Sequence, residues 1–328
     1  MREQQKLVKL LIGLVRRLII LGNLVSTPNQ IESPLRYPGS KATFLNVVLR
    51  FIETHNLHEK EIVEPYAGSG IVSLSLVSAG IIKKAILIER DPLIYAFWKS
   101  VFEHTDTLSS LIEKVNVNTD TWHQLKNYLQ YDHPNDLYIP DLALACLFLN
   151  RTNFSGILHS GPIGGRDQSS KYKIDCRFNK EAIISRIQKI SLLRHSVSVV
   201  FGDALQYLHA SSAENSGNRF FYVDPPYFKQ GRKLYRYNYK IVDHKRLADI
   251  LRNANFPWIL SYDKHEYIEL LYDNFIRTHQ SFRYTTKIPK NENELVITNM
   301  RTPLSGKENQ LTTFISKANL SNFLNASE

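Results

Sequence analysis

The sequence predicts an α/β protein built around a doubly wound, mostly parallel β-sheet. Short apolar segments of strand length alternate with helical segments along most of the 328 residues. This alternation is typical of a parallel sheet covered by helices on both faces. The first predicted strand runs directly into a glycine-containing turn that opens a helix. Such a turn is typical of a doubly wound sheet that binds a ligand at its carboxyl edge.

Six strands are predicted, and they lie at residues 61–64, 85–89, 197–201, 220–223, 258–261 and 295–298. Helices are predicted over residues 71–79 and after Asp91, Asp203, Asp243 and Glu266. Asp91 is followed by Pro92, which combines a favoured N-cap residue with a proline at the first helical position. The start of that helix is therefore predicted from chemistry as well as from periodicity.

The pattern divides the chain into three parts. Residues 1–32 are predicted to form an amphipathic helix and a polar linker, because leucines recur at helical spacing from Leu7 to Leu21. Residues 33–103 and 181–328 form the main domain. Residues 104–180 are irregular, polar and turn-rich and are predicted to be an insertion with its own structure. We expect residues 1–32 to pack on the main domain. The alternatives are a contact with a second copy or a partner, and an anchor on a membrane surface.

The charge balance suits a polyanionic partner. Lys and Arg exceed Asp and Glu by 41 to 31, which gives a net charge of +10 and a pI of 9.4. The two cysteines are far apart and the histidines form no metal motif, so no disulfide framework and no metal site are expected, and the cytoplasm is the expected compartment. Lys9, Arg16 and Arg17 interrupt the apolar leader, so no membrane span of about 20 residues is expected.

The segment 64–70 (EPYAGSG) follows the first strand and predicts a ligand-binding turn. Gly68 and Gly70 allow backbone angles closed to other residues and let a ligand approach the main chain. Glu89 follows Gly68 by about the 20 residues at which an acidic residue meets ribose hydroxyls. The third glycine of the dinucleotide motif is absent, which disfavours NAD. A tight turn with a purely structural role is the alternative.

The segment 224–227 (DPPY) follows the fourth predicted strand and predicts a catalytic site. An exocyclic amine such as adenine N6 is a poor nucleophile, because its lone pair is delocalised. The Asp224 carboxylate and the Pro225 carbonyl could accept both amine hydrogens and take up developing positive charge. Pro226 stiffens the segment, and Tyr227 offers an aromatic face to an extruded base. A plain strand-to-loop turn is the alternative.

Five motifs together resemble one enzyme family, the Dam-like (D12 class) N6-adenine-specific DNA methyltransferases. They are residues 35–41, residues 64–70, Glu89, residues 201–203 and residues 224–227. The resemblance runs from about residue 33 to residue 298. It implies a Rossmann-like class I methyltransferase fold, S-adenosyl-L-methionine as cofactor, and a target-recognition role for the insertion 104–180.

The resemblance also implies roles for particular residues. It assigns cofactor binding to Tyr37, Gly39, Lys41, Pro65, Tyr66, Gly68, Gly70, Glu89, Asp203 and Asp224. It assigns catalysis to Asp224, Pro225, Pro226 and Tyr227. Within the cofactor set, the first three would hold the methionine end, Glu89 the ribose, and Asp203 the region of the cofactor's adenine. Tyr37 and Ser40 stand where the family commonly has Trp and Gly, and Glu89 where it often has Asp.

Two segments are predicted to bind DNA. The basic loop 228–240 interleaves cations with tyrosines, which suits phosphates and bases, and the segment 150–173 is rich in glycine and basic residues. The residues predicted to contact DNA are Arg151, Arg166, Lys229, Arg232, Lys233 and Arg236. A solvated basic loop and an active-site lid are the alternatives.

The predicted function is transfer of a methyl group to adenine N6 in double-stranded DNA. The resemblance places this activity in a restriction–modification system with a cognate endonuclease, or in an orphan methylation system. An N4-cytosine or RNA methyltransferase on the same scaffold is the close rival. A catalytically idle DNA-binding subunit is a rival from a different class of protein, and an NAD-dependent oxidoreductase is a more remote one.

Overall fold

The computed structural model describes residues 31–36, 44–134, 138–214, 217–229, 231–284 and 290–301. The predicted N-terminal helix lies outside these residues, and so do Tyr37, Gly39 and Lys41, three of the predicted cofactor residues.

Seven strands form one sheet in the described part of the chain. They are β1 (Glu61–Glu64), β2 (Ala85–Glu89), β3 (Val197–Phe201), β4 (Arg219–Val223), β5 (Trp258–Asp263), β6 (Ile276–Tyr284) and β7 (Lys290–Thr298). Their order across the sheet is β3-β2-β1-β4-β5-β7-β6. The strands from β3 to β5 pair in parallel, whereas β7 runs antiparallel between β5 and β6.

The helices of the described residues cover both faces of this sheet. They are α1 (Leu45–His55), α2 (Ile71–Ser78), α3 (Pro92–Glu103), α4 (Thr105–Lys114), α5 (Thr119–Lys126), α6 (Ile139–Thr152), α7 (Lys180–Ser191), α8 (Ala204–Ala213), α9 (Gly231–Leu234), α10 (Ile241–Arg252) and α11 (Glu266–Leu271). The Asp91 side chain caps α3 by accepting a hydrogen bond from Leu93 N at 3.0 Å. The predicted cap and the N1 proline are confirmed.

The central strands are apolar on both sides, because each face of the sheet carries its own core. Ile62 and Leu87 belong to the core shared with α1, α2, α3 and α6, whereas their neighbours Val63 and Ile88 belong to the core shared with α8 and α10. Successive side chains of a strand point to opposite faces, so a strand buried on both faces is apolar throughout. This explains why the short apolar runs of the sequence predicted the strands.

All six predicted strands are present, but the sheet contains one strand more. β6 was not predicted, because its sequence IRTHQSFRY carries polar and charged residues at an edge of the sheet. The predicted doubly wound, mostly parallel sheet is confirmed. Among the described residues, four of the strand pairs in this sheet are parallel, and the two pairs that include β7 are antiparallel.

The expectation that residues 104–180 are irregular and turn-rich was wrong for the described part of that segment up to residue 152, whereas residues 157–179 consist of turns and bends as expected. The helices α4, α5 and α6 occupy the first of these parts, and α6 packs against α3 within the same core as the sheet. The sequence of α6 (IPDLALACLFLNRT) is apolar almost all round, because the helix is buried on nearly every side. It therefore shows no polar stripe that would mark it as helical. The target-recognition role of 104–180 stays a prediction.

The strand order places a crevice between β1 and β4. The chain continues from β1 to β2 on one side, and from β4 to β5 on the other, so the connections diverge at this point. Ligands of open α/β sheets bind at such a switch point, outside the carboxyl ends of the strands. The turn after β1 and the segment 224–227 after β4 meet at this crevice.

Candidate active site

The turn after β1 is a tight glycine turn that forms one wall of a cavity. Gly68 and Gly70 have positive φ angles of 46° and 60°, which glycine adopts without strain. A Cβ atom at Gly70 would also lie 3.2 Å from the Leu74 side chain. The indole Nε1 of Trp98 donates a hydrogen bond to the Gly68 carbonyl at 2.8 Å. The turn is therefore fixed both by its own backbone and by α3.

Glu89 ends β2 and lies against this turn. Its Oε2 accepts a hydrogen bond from Gly68 N at 3.1 Å, and its Oε1 accepts one from Asp91 N at 2.9 Å. Burial raises the pKa of Glu89 to about 7, with the Asp91 charge adding to the rise and the backbone hydrogen bonds opposing it. The carboxylate is thus held in place beside the cavity, with oxygen lone pairs left for further donors.

Asp203 stands after β3 at the same edge of the sheet. Its side chain caps α8 by accepting from Gln206 N at 3.1 Å. It also forms an ion pair with Arg90 at 3.1 Å, and both residues line the cavity. This ion pair joins the ends of β2 and β3 across the cavity wall.

Asp224 follows β4 and faces Glu64 across the crevice. Ser261 Oγ of β5 donates a hydrogen bond to Asp224 Oδ1 at 2.7 Å. Glu64 is almost fully buried and accepts a hydrogen bond from Ser73 N at 3.3 Å. Burial raises the pKa of Glu64 to about 8, and the nearby Asp224 charge adds to the rise. Glu64 is therefore mostly protonated at neutral pH.

The remainder of the 224–227 segment is held by two further carboxylates. The Tyr227 hydroxyl donates to Glu294 Oε1 of β7 at 2.7 Å. The backbone N–H groups of Phe228 and Lys229 donate to the two oxygens of Asp263, each at 2.9 Å. Pro226 lines the cavity and Pro225 is buried beside it. The segment thus leaves the sheet in a fixed direction.

Tyrosines from the segment 231–240 close the cavity on the opposite side. Tyr235, Tyr237 and Tyr239 line it, and the hydroxyl oxygens of Tyr239 and Tyr66 are 2.7 Å apart. Burial, with Tyr239 nearby, raises the pKa of Tyr66 well above its ordinary value. Tyr235, Tyr237 and Tyr239 are each partly buried at this wall, and the stacking of bases on these tyrosines stays a prediction.

Arg236 does not serve as a free cation on this segment. Its guanidinium forms an ion pair with the buried Asp91 at 3.2 Å, and its Nη2 donates to the carbonyls of Leu129 and Tyr131, both at 2.6 Å. The side chain is only 14% exposed. The predicted phosphate contact of Arg236 is therefore corrected to a structural role, in which it ties the segment to α3 and to the end of the turn after α5.

The end of α6 supplies the third wall. Asn150 Oδ1 accepts from Arg36 N at 2.6 Å, and Asn150 Nδ2 donates to the carbonyls of Arg36 and Gly156 at 2.7 and 2.9 Å. Gly156 has a φ of 76°. Leu35, Asn150 and Gly156 all line the cavity. The buried Asn150 side chain thereby fixes the segment that leads toward Tyr37.

The other residues predicted to contact DNA differ in exposure. Lys229, Lys233 and Arg166 are exposed, whereas Arg151 is partly buried. The side chain of Arg232 lies outside the described part of the structure. The DNA contacts of these residues stay predictions.

The structure brings most of the predicted site residues to one cavity. Those that line it are Pro65, Tyr66, Gly68, Glu89, Asp203, Asp224 and Pro226. Gly70 instead caps α2, and Tyr227 turns toward β7. Sequence reasoning missed Asn150, Ser261 and Glu294 as parts of the site. Each of them contacts the motif residues only in the folded protein and belongs to no sequence pattern near a motif, so no local signal identified it.

Within the described residues, no group of three or more His, Cys, Asp or Glu side chains could hold a metal ion. No helix among those residues is long and apolar enough to cross a membrane.

The sheet order and the cavity at its switch point define the Rossmann-like fold of a class I methyltransferase. A family model described as D12 class N6 adenine-specific DNA methyltransferase matches residues 37–290, well over half of the chain. The chain therefore belongs to the D12 class N6 adenine-specific DNA methyltransferase family, and the predicted resemblance is confirmed.

Comparison with solved structures returned distant matches. A proposed RNA methyltransferase from Pyrococcus horikoshii is 9% identical, with 86% of this chain and 96% of that chain covered and a TM-score of 0.40. A SAM-dependent methyltransferase from Agrobacterium tumefaciens is 10% identical, with 79% of this chain and 60% of that chain covered and a TM-score of 0.37. No curated protein matches the sequence.

Proposed function

We propose that the protein transfers a methyl group from S-adenosyl-L-methionine to N6 of adenine in double-stranded DNA. The observation that carries this proposal is the place of Asp224 and Pro226. They line the same cavity as Glu89 and the glycine turn, at the carboxyl ends of adjacent strands. A group that binds an amine and a group that binds a ribose thereby share one cavity.

The cavity suits S-adenosyl-L-methionine. The glycine turn brings backbone to its surface, and the Glu89 carboxylate stands where ribose hydroxyls can donate to it. The Arg90–Asp203 pair and the tyrosines offer polar and aromatic surface for a nucleoside. When bound, this cofactor supplies an electrophilic methyl group on a sulfonium sulfur.

The residues after β4 act on the target amine. The Asp224 carboxylate and the Pro225 carbonyl accept the two N6 hydrogens, which favours a pyramidal nitrogen with its lone pair free to attack. Ser261 donates to Oδ1 of Asp224 and so keeps the carboxylate oriented. After transfer, the methylated amine loses one proton to a nearby acceptor or to water. The neutral Glu64 adds no second negative charge beside Asp224 at neutral pH.

An arginine cluster beside the cavity-lining residues Leu35 and Asn150 supports a nucleic acid as the substrate. We define it as Arg36, Arg151, Arg177 and Arg186. Burial lowers the pKa of Arg151 to about 10, and the charges of the other three arginines add to this effect. Among the described ion pairs, only Glu32 neutralises a member of the cluster, through Arg186. Close cations with so little neutralisation favour an anion, and the phosphates of DNA supply one.

Methylation of unmodified genomic DNA tests the proposal. The purified full-length protein is incubated with labelled S-adenosyl-L-methionine and DNA from a methylation-free host, and the nucleosides are then separated by mass. We expect N6-methyladenine. N4-methylcytosine, or methylation of RNA alone, would establish the rival activity, and absence of transfer with cofactor binding intact would favour an idle DNA-binding subunit.

Asp224→Ala supplies the critical variant and Asp249→Ala its matched control on the surface of α10. Loss of one preorganised acceptor lowers the transfer rate about a hundredfold or more, while DNA binding remains. Asp249 pairs only with its helix neighbours Lys245 and Arg252 among the described ion pairs, so its variant keeps the wild-type rate. Sequencing of the modified sites would then give the DNA sequence that the enzyme recognises.

A further inference from the structure

Three polar side chains stand on one face of the sheet, next to the 224–227 segment. We call Ser261, Asp263 and Glu294 the β5–β7 cradle. Ser261 and Asp263 are two residues apart in β5, and Glu294 is paired with Asp263 across the antiparallel β5–β7 ladder. Residues two apart in a strand, and residues directly opposite each other in a ladder, share one face of the sheet.

The cradle fixes three successive parts of the segment. Ser261 binds the Asp224 carboxylate at 2.7 Å, and Glu294 binds the Tyr227 hydroxyl at 2.7 Å. Asp263 binds the backbone immediately after Tyr227 through both of its oxygens. The carboxylate, the aromatic ring and the backbone that follows are therefore oriented from a single rigid surface.

The burial of Glu294 does not by itself stabilise the fold, so this residue needs another explanation. It is a carboxyl group with 2% exposure, and it precedes the buried apolar residues Leu295, Val296 and Ile297 of β7. Burial of a carboxyl group is unfavourable unless hydrogen bonds compensate it. The bond from Tyr227 is one that the structure provides, and it joins the antiparallel strand β7 to the segment after β4.

We propose that Glu294 is a positioning residue that holds the Tyr227 ring in place for the target base, acting through the Tyr227 hydroxyl. This inference rests on the proposed function, because it assigns Tyr227 to the base that Asp224 binds. A ring released from Glu294 rotates about its side-chain torsions and no longer presents a fixed face. The base then spends less time aligned for attack, so the loss falls on kcat more than on cofactor binding.

A double-mutant cycle on Tyr227 and Glu294 tests the inference. Tyr227→Phe and Glu294→Ala remove the same hydrogen bond from opposite ends, so we expect each to lower kcat about 10- to 100-fold. The double variant is expected to lose no more than the worse single variant, because the interaction is already absent. The affinity for S-adenosylhomocysteine is expected to change by less than about threefold in all three.

Two further variants separate positioning from structure. Glu294→Gln keeps an oxygen acceptor for the hydroxyl, so it is expected to restore most of the rate lost in Glu294→Ala. Tyr272→Phe is the matched control. Its hydroxyl is also buried but makes no hydrogen bond within the described residues, and its removal is expected to leave kcat unchanged.

The outcomes are distinct. If the losses add in the double variant, or if Glu294→Gln is as slow as Glu294→Ala, Glu294 does not act through the Tyr227 hydroxyl. If Glu294→Ala loses S-adenosylhomocysteine binding and thermal stability together with the rate, its role is structural. Should that variant fail to fold, Glu294→Met, which lacks the acceptor but keeps a side chain of similar length, takes its place in the cycle. If the wild type methylates no DNA, the proposed function fails first and the inference fails with it.

Discussion

Replacement of Gly156 by alanine tests how closely the residues before Tyr37 are packed on the end of α6. Gly156 has a φ of 76°, and a Cβ atom there would lie 2.6 Å from the Arg36 carbonyl oxygen. That oxygen is backbone, so the clash cannot be relieved by rotation of a side chain. Either the Arg36 segment or the turn after α6 must move.

The expected loss of stability follows from these contacts. A left-handed alanine costs about 1–2 kcal/mol, of which about 0.4–1 kcal/mol is offset by the lower entropy of the unfolded chain. Displacement of Arg36 also weakens its two backbone hydrogen bonds with Asn150, each contributing about 0.5–1.5 kcal/mol. The free energy of unfolding should therefore fall by about 1–4.5 kcal/mol in total.

Two other glycines separate the sources of this loss. Gly80 has a φ of 67° but nothing within 4 Å of its would-be Cβ, so Gly80→Ala carries the backbone strain alone. Gly161 is also open to solvent and lacks the positive φ. We expect losses of about 1 kcal/mol for Gly80→Ala and less than about 0.5 kcal/mol for Gly161→Ala.

Urea unfolding followed by tryptophan fluorescence measures all three variants. Calorimetry with S-adenosylhomocysteine measures the cavity, and only Gly156→Ala should weaken binding, because Gly156 and Leu35 line that cavity. If Gly156→Ala loses no more stability than Gly80→Ala, the close approach to Arg36 is refuted.

Three further predictions follow from charges in and near the cavity. Burial raises the pKa of Glu89 to about 7, and ribose hydroxyls donate to the ionised form of this carboxyl group. The affinity for S-adenosylhomocysteine should therefore fall about tenfold for each pH unit below 7. Glu89→Gln should remove this dependence, and a wild-type affinity that stays flat from pH 5 to 8 would contradict it. Arg151→Gln should reduce the slope of DNA affinity against salt by about one unit, measured by fluorescence anisotropy, and an unchanged slope would place Arg151 away from phosphates. Arg236→Gln should lower the unfolding temperature, because it breaks the ion pair of Arg236 with buried Asp91. Lys233→Gln is the control at an exposed position. Equal unfolding temperatures in the two variants would contradict the structural role of Arg236.

The strands and the motifs could be predicted from sequence because their signals are local. The short apolar runs of β1 and β2 reflect burial on both faces. The glycines of the turn reflect positive φ angles that are needed within a few residues of the strand end. Glu89 could be predicted from its distance along the chain, because a strand–helix–strand unit has a nearly constant length.

The helix α6 and the strand β6 were both missed because their position in the fold determines their composition. The helix α6 is enclosed by α3 and the core, so it lacks the polar stripe by which helices are recognised. The strand β6 lies at an edge of the sheet, and its polar residues give no alternation with apolar ones. In both cases the neighbours of an element, rather than its own sequence, decide its composition.

The sequence by itself determined the parallel sheet, the glycine turn and the identity of the acidic residues at the strand ends. Only the tertiary structure decided what those residues contact. Asn150 meets Arg36 across 114 positions, and Glu294 meets Tyr227 across 67. Arg236 likewise forms an ion pair with Asp91, 145 positions away, instead of extending into solvent. Periodicity and turn chemistry act over a few residues, whereas such pairs depend on strand order and register, which are fixed only when the whole chain packs.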